Sequence, residues 1–201
     1  MTAPIRRALI LLVRFLVGAR ADWRGCAPST TQRIYFANHG SHLDTVAVMA
    51  ALPWSLRRLT HPVAARDYWG RNAVLRWIAE VGLRAVLIDR KPVRGDDPLA
   101  PAAAVLDRGR SILIFPEGTR GSGEEMGPFR GGLHRMAARF PEVELIPVHL
   151  DNLQRILPKG SLLIVPITCT ARFGAPIRLE PGEDKGAFLR RARQSVMDLV
   201  A

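Results

Sequence analysis

Three short, wholly apolar runs, each ending in a polar cluster, constrain this chain more than any other feature. Ile34-Tyr35-Phe36-Ala37 leads into Asn38-His39-Gly40-Ser41-His42-Leu43-Asp44. Ala85-Val86-Leu87-Ile88 leads into Asp89-Arg90-Lys91, and Ser111-Ile112-Leu113-Ile114-Phe115 into Pro116-Glu117-Gly118-Thr119-Arg120. Apolar runs of this length without alternation read as strands buried on both faces, the mark of a parallel sheet covered by helices. Helical patterns separate them. Thr45 to Leu52 is closed by Pro53, Asn72 to Val81 by Gly82, and Asp96 to Arg108 by Gly109, with Pro98 and Pro101 near its start. Gly131 to Arg139 is a short helix and Lys185 to Val200 a terminal amphipathic one. Val143 to Leu150 reads as a strand containing Pro147, and Ser161 to Phe173 as a β-branched stretch broken by Pro166. Arg57 to Ala64 is partly polar and reads as a strand at a sheet edge. Strands alternating with helices define an α/β fold, a single domain with a largely parallel mixed sheet flanked by helices.

In open α/β sheets, ligands gather beyond the carboxyl ends of the strands. Three polar clusters in that position imply one shared site. His39 and Asp44 are five residues apart where a strand gives way to a helix. Their side chains meet only if the histidine lies in the turn and the aspartate inside the helix, because neighbours on a regular helix are three or four apart. The carboxylate then accepts a hydrogen bond from Nδ1–H and leaves Nε2 as a base. This is the base–orienter half of a catalytic triad. No serine or cysteine nucleophile stands beside it, so the base would act on a substrate hydroxyl. The spacing alone is unspecific, and Asn38 or Ser41 capping the helix is the plain alternative. Arg90, Arg120 and Arg130 are candidates to hold a phosphate bidentately, with Glu117, Gly118 and Thr119 forming a turn beside them.

The 201 residues carry 29 Lys and Arg against 18 Asp and Glu, a formal net charge of +11. That field favours anionic partners: nucleic acid, an anionic lipid surface or a phosphorylated substrate. No nucleic-acid module is recognisable and the basic residues are scattered, which argues against the first. Cys26 and Cys169 form neither a disulfide framework nor a metal-ligand cluster. His61, His134 and His149 have no partner at a diagnostic spacing and read as structural. Trp54, Trp69 and Trp77 read as core or as an interfacial aromatic face. Arg190, Arg191 and Arg193 read as a solvated helix face.

Arg6-Arg7 opens an apolar segment reaching Val17, interrupted by Arg14. It is too short to span a bilayer, which takes roughly 20 apolar residues. A helix lying in the membrane interface fits, with Arg7, Arg14 and Arg20 in the headgroup layer and Leu9, Leu12, Phe15 and Leu16 toward the acyl chains. The rivals are a signal peptide and a helix packed on the core. The expected organisation is a membrane-interface segment over residues 1–24 followed by one domain over 25–201.

With these blocks in view, the sequence resembles the 1-acylglycerol-3-phosphate acyltransferases, the PlsC-like glycerolipid acyltransferase family. The resemblance spans about residues 33–177. It rests on the block from Asn38-His39 to Asp44, on Gly82 to Arg90, on the hexapeptide Phe115-Pro116-Glu117-Gly118-Thr119-Arg120, on Leu145-Ile146-Pro147-Val148 and on Phe173-Gly174-Ala175-Pro176-Ile177, in the family's order. It implies transfer of a fatty acyl group from acyl-CoA or acyl-carrier protein to the sn-2 hydroxyl of lysophosphatidate. His39 would be the base and Asp44 its orienter. Arg90 and Arg120 would bind the glycerol phosphate, and Glu117 and Gly118 would shape that pocket. Backbone N–H groups of the His/Asp turn or the Glu117-Gly118 turn would hold the oxyanion. No metal or prosthetic group is implied, and the expected location is the cytoplasmic face of a membrane, peripheral or monotopic. Two departures stand out. A second histidine, His42, lies inside the first block, only two residues from Asp44. Arg130 stands in a segment where many relatives have lysine. The acceptor alternatives are lyso-ornithine lipid and glycerol-3-phosphate. A thioesterase acting on the same base, and a basic nucleic-acid-binding protein, are the remaining rivals.

Overall fold

The computed structural model describes residues 18–41, 43–89, 96–119, 126–151 and 169–200. In chain order the first elements are β1 (Arg20–Trp23), β2 (Arg33–Ala37), α1 (Asp44–Ala51), α2 (Trp54–Arg57), β3 (Thr60–Ala65), α3 (Arg66–Trp69) and α4 (Ala73–Trp77). A π-helical turn, Ile78–Gly82, follows α4. Then come β4 (Val86–Ile88), α5 (Ala100–Leu106), β5 (Ser111–Ile114), α6 (Gly132–Arg139), β6 (Glu144–Asp151), β7 (Thr170–Phe173) and α7 (Lys185–Met197).

The strands form one seven-stranded sheet in the order β1-β7-β6-β2-β5-β3-β4. The five strands β6, β2, β5, β3 and β4 are mutually parallel. β7 runs antiparallel to β6, and β1 lies parallel to β7. The α/β fold with a largely parallel mixed sheet is therefore as expected. All five residues of β2 and all four of β5 are buried, as centrally placed parallel strands must be.

Side-chain alternation along β2 divides the core into two layers. Tyr35 and Ala37 pack with Val48, Leu52, Ile146 and Phe173 on the α1 side. Ile34 and Phe36 pack with Leu106, Leu133 and Phe188 on the side covered by α5, α6 and α7. The terminal helix buries Phe188, Ala192 and Val196, spaced four apart on one face. Asp184 caps it, accepting from the N–H groups of Gly186 and Ala187 at 2.8 and 3.0 Å.

Two strand assignments exchange places. The expected edge strand is β3, which lies inside the sheet between β5 and β4. Part of its apparent polarity came from Arg57 and Arg58, which precede β3; Arg57 belongs to α2. There its buried guanidinium donates to the carbonyls of Ala50 and Leu52 at the end of α1, at 2.9 and 2.6 Å. The apolar run expected in the sheet interior is the edge strand β4, of which only Leu87 is buried. Its neighbours are apolar for other reasons: Val86 packs against the α5 layer and Ile88 lines a cleft. Residues 20–23, expected in the membrane-interface segment, form β1 and pair with β7. Residues 1–17, with the rest of that segment, lie outside the described residues. Among the described residues no helix is long and apolar enough to cross a membrane.

Candidate active site

The turn from β2 into α1 carries the His/Asp pair. His39 follows β2 by two residues, and Asp44 is the first residue of α1. Neither Asn38 nor Ser41 caps the helix, whose N-cap position, Leu43, has no side-chain bond. Instead the Asp44 carboxylate folds back. Its Oδ2 accepts from the N–H groups of Gly40 and Ser41 at 2.7 and 2.9 Å, and lies 2.7 Å from His39 Nδ1. An ionised carboxylate only accepts, so Nδ1–H is the donor of this bond. Asp44 is 1% exposed, whereas the His39 side chain keeps 21% of its surface. The carboxylate is thus sealed in and the imidazole is reachable. The His39 ring also stacks on Phe115, with centroids 4.4 Å apart and planes at 27°.

Two contacts from distant chain segments hold this turn. Asn38 accepts from the Leu150 N–H at 2.7 Å and donates to the Leu150 carbonyl at 3.2 Å, tying the turn to the end of β6. Glu117, 5% exposed, accepts from the His39 N–H through Oε1 at 2.7 Å and from the Gly127 N–H through Oε2 at 2.9 Å. Glu117, expected in the acceptor pocket, is therefore a buried bracket on the backbone of His39, and it is absent from the cleft wall. Thr119 is exposed and also absent from that wall.

A cleft of about 280 Å³ opens beside His39 at the carboxyl end of the parallel strands. Its apolar wall includes Val63, Ile88, Leu99, Ile114 and Leu133, with Tyr68 and Trp69 from α3. Arg130 and Arg135 line it, and Arg135 is paired with Asp97 at 3.2 Å. Arg130 has no ion pair among the described residues, and its N–H donates to the Pro116 carbonyl at 2.8 Å. Gly118 explains why the side chain fits there. At φ +70° it occupies the left-handed region, and a Cβ would stand 2.9 Å from Arg130 Cδ. Arg90, Arg120 and His42 lie outside the described residues.

The oxyanion donors expected from the two turns are largely committed elsewhere. The N–H groups of His39, Gly40 and Ser41 serve Glu117 and Asp44, and that of Gly118 donates to the Phe115 carbonyl at 3.0 Å. Of the other histidines, His61 Nδ1 lies 3.0 Å from the Arg84 carbonyl. His134 packs edge-on to Phe188. Burial holds His61 and His149 below the ordinary imidazole value. Asn38, Phe115 and the role of Glu117 had no local signal: each acts through a residue distant in the chain.

A reachable imidazole paired with a sealed carboxylate thus faces a cleft of mostly apolar wall with arginine in it. The chain belongs to the Acyltransferase family, whose model matches residues 25–169. Human 1-acyl-sn-glycerol-3-phosphate acyltransferase alpha is 29% identical to it over 203 residues, which is 96% of this chain and 68% of that protein. The 1-acyl-sn-glycerol-3-phosphate acyltransferase of Cocos nucifera is 25% identical over 87% of this chain and 55% of its own length. The fold matches the crystal structure of the 1-acyl-sn-glycerophosphate (LPA) acyltransferase, PlsC, from Thermotoga maritima. The TM-score is 0.70 at 18% identity, covering 98% of this chain and 82% of that one.

Proposed function

We propose that the protein transfers a fatty acyl group from an acyl thioester, acyl-CoA or acyl-carrier protein, to the sn-2 hydroxyl of 1-acylglycerol-3-phosphate, giving phosphatidate. The observation that carries this reading is His39, proton-bearing at Nδ1 against sealed Asp44 and lining a largely apolar cleft that also holds Arg130. In the reaction, Nε2 takes the proton of the acceptor hydroxyl as its oxygen attacks the thioester carbonyl. Asp44 stabilises the imidazolium. Collapse of the tetrahedral intermediate breaks the C–S bond, and the departing thiolate takes the proton from Nε2. General-base catalysis of this type is worth roughly 10²–10⁴-fold. Arg130 supplies phosphate-binding charge. Arg90, next in sequence to the cleft residue Asp89, and Arg120, two residues after cleft-lining Gly118, are proposed to share that role. Gly118 shapes the acceptor pocket by leaving room for Arg130, and Glu117 and Thr119 belong to the same turn.

An amphiphilic acceptor resides in a bilayer, so the proposal includes an anionic membrane surface as partner, at its cytoplasmic face. Two features support it. The charge is +11. Beyond Tyr68 and Trp69 of the cleft, α4 exposes 67% of Val74 and 44% of Trp77 beside exposed Arg71 and Arg76, an interfacial composition.

The test is an acceptor panel with purified protein: lysophosphatidate, lyso-ornithine lipid, glycerol-3-phosphate, monoacylglycerol and water, each with and without His39→Ala. Preference for lysophosphatidate, lost on His39→Ala, is the expected result. Equal rates with monoacylglycerol would remove the phosphate site. Acyl release to water alone would make the protein a thioesterase, and preference for one of the other two acceptors would reassign the substrate.

A further inference from the structure

One side chain of the terminal helix reaches toward the site from outside it. Arg193 of α7 was expected on a solvated face. Instead its guanidinium donates to the Met126 carbonyl at 2.7 and 3.2 Å, through Nη2 and Nε, and to the Gly127 carbonyl at 3.3 Å. The Met126 carbonyl and the Gly127 N–H are two ends of one peptide group. The N–H end donates to Glu117 Oε2 at 2.9 Å, and Glu117 Oε1 accepts from the His39 N–H at 2.7 Å. A cation, a peptide dipole and a carboxylate therefore stand in line, ending on the backbone of the base. The cation draws electron density toward the peptide oxygen and sharpens the N–H that the carboxylate accepts, so each bond in the series strengthens the next. Space is tight at the junction: a Cβ on Gly127 would lie 3.1 Å from Glu117 Oε2.

We propose that Arg193 is a positioning residue for acyl transfer, fixing His39 through the Met126-Gly127 peptide and Glu117. This rests on the reading of His39 as the base. Arg193 touches neither substrate nor imidazole. Its effect passes through the placement of the His39 backbone, and small misplacements of a reacting group are costly. Arg191, two residues earlier on the same helix, is the natural control. It pairs with Glu183 at 2.6 Å and with the Arg178 carbonyl at 2.7 Å, and it has no bond to the Met126-Gly127 peptide.

The experiment compares Arg193→Met, Arg193→Lys, Glu117→Gln, the Arg193→Met/Glu117→Gln double variant and Arg191→Met. It measures kcat, acceptor KM, melting temperature and the NMR signal of the His39 ring C–H groups, assigned by its loss in His39→Ala. Arg193→Met should lower kcat roughly 10-fold and Glu117→Gln roughly 10²-fold, each with acceptor KM within about twofold of the parent. The double variant should lose no more than Glu117→Gln alone, because both changes break the same series. Arg193→Lys, which keeps a cation with one donor group, should fall between. The His39 signal should move in Arg193→Met and stay in place in Arg191→Met, whose kcat should match the parent. Multiplying losses in the double variant, a kcat loss in Arg191→Met equal to that in Arg193→Met, or an unmoved His39 signal would each overturn the proposal. An inactive parent with a His39 signal that still responds to Arg193→Met would instead refute the assigned reaction and leave the coupling standing.

Discussion

Replacing Asp44 with asparagine tests the base–orienter pair most directly, and its outcome depends on a detail of geometry. In the serine proteases the corresponding asparagine forces the wrong tautomer on the imidazole, which costs about 10⁴-fold. Here one oxygen of Asp44 accepts all three bonds, two from the backbone N–H groups of Gly40 and Ser41 and one from His39 Nδ1. Turning the amide nitrogen into that position would set a donor against two fixed donors, leaving buried groups unpaired at about 1–3 kcal/mol each. The amide oxygen should therefore stay, Nδ1–H should stay, and only the negative charge is lost. With charge centres about 4 Å apart and an effective dielectric of about 20, the attraction between carboxylate and imidazolium is about 4 kcal/mol. At about 1.4 kcal/mol per decade, kcat should fall about 10³-fold, with little change in acceptor KM. Steady-state kinetics on lysophosphatidate vesicles, with a thermal melt to confirm folding, measure both. A folded Asp44→Asn protein within threefold of parent kcat would refute the carboxylate's role. A loss carried by KM would show that Asp44 holds substrate and not the base.

Gly118→Ala combines left-handed strain of about 1–2 kcal/mol with a Cβ 2.9 Å from Arg130 Cδ. It should lower the melting temperature and raise acceptor KM several-fold, read by thermal melt and saturation kinetics. Burial, aided by the carboxylates of Asp44 and Asp151, pushes the Cys169 thiol up to about 12. The thiol should therefore resist alkylation at pH 8 in the native protein and react at once in denaturant. Because the unfolded thiol ionises near 9, its contribution to stability is present below that value and is lost as pH rises toward 12. Cys169→Ala should flatten the alkaline fall in melting temperature. Burial depresses His61 and His149 below 6.5, so the unfolded chain binds protons first on acidification. Their contribution is present above pH 6.5 and is lost as pH falls through their folded values, and His61→Gln should reduce the acid slope of a melt series.

What the sequence by itself determined is local. The continuous apolar runs 34–37 and 111–115 forced buried parallel strands. The five-residue spacing of His39 and Asp44, across a strand-to-helix turn, lets imidazole and carboxylate meet within a single turn. Such features are legible because period and spacing act over a few residues. Strand order is not local. An apolar run reports burial without saying whether a neighbouring strand or a cleft provides it, so β3 and β4 exchanged interior and edge. The four residues of β1 carry no apolar run and become a strand because β7 offers an unpaired edge. The supports of His39 belong to this second kind. Glu117 meets the His39 N–H across 78 residues and Asn38 meets Leu150 across 112. Arg193 reaches Met126 across 67. Hydrogen bonds need donor and acceptor within about 3 Å, and only the packed sheet and its helices bring groups so far apart in the chain to that distance.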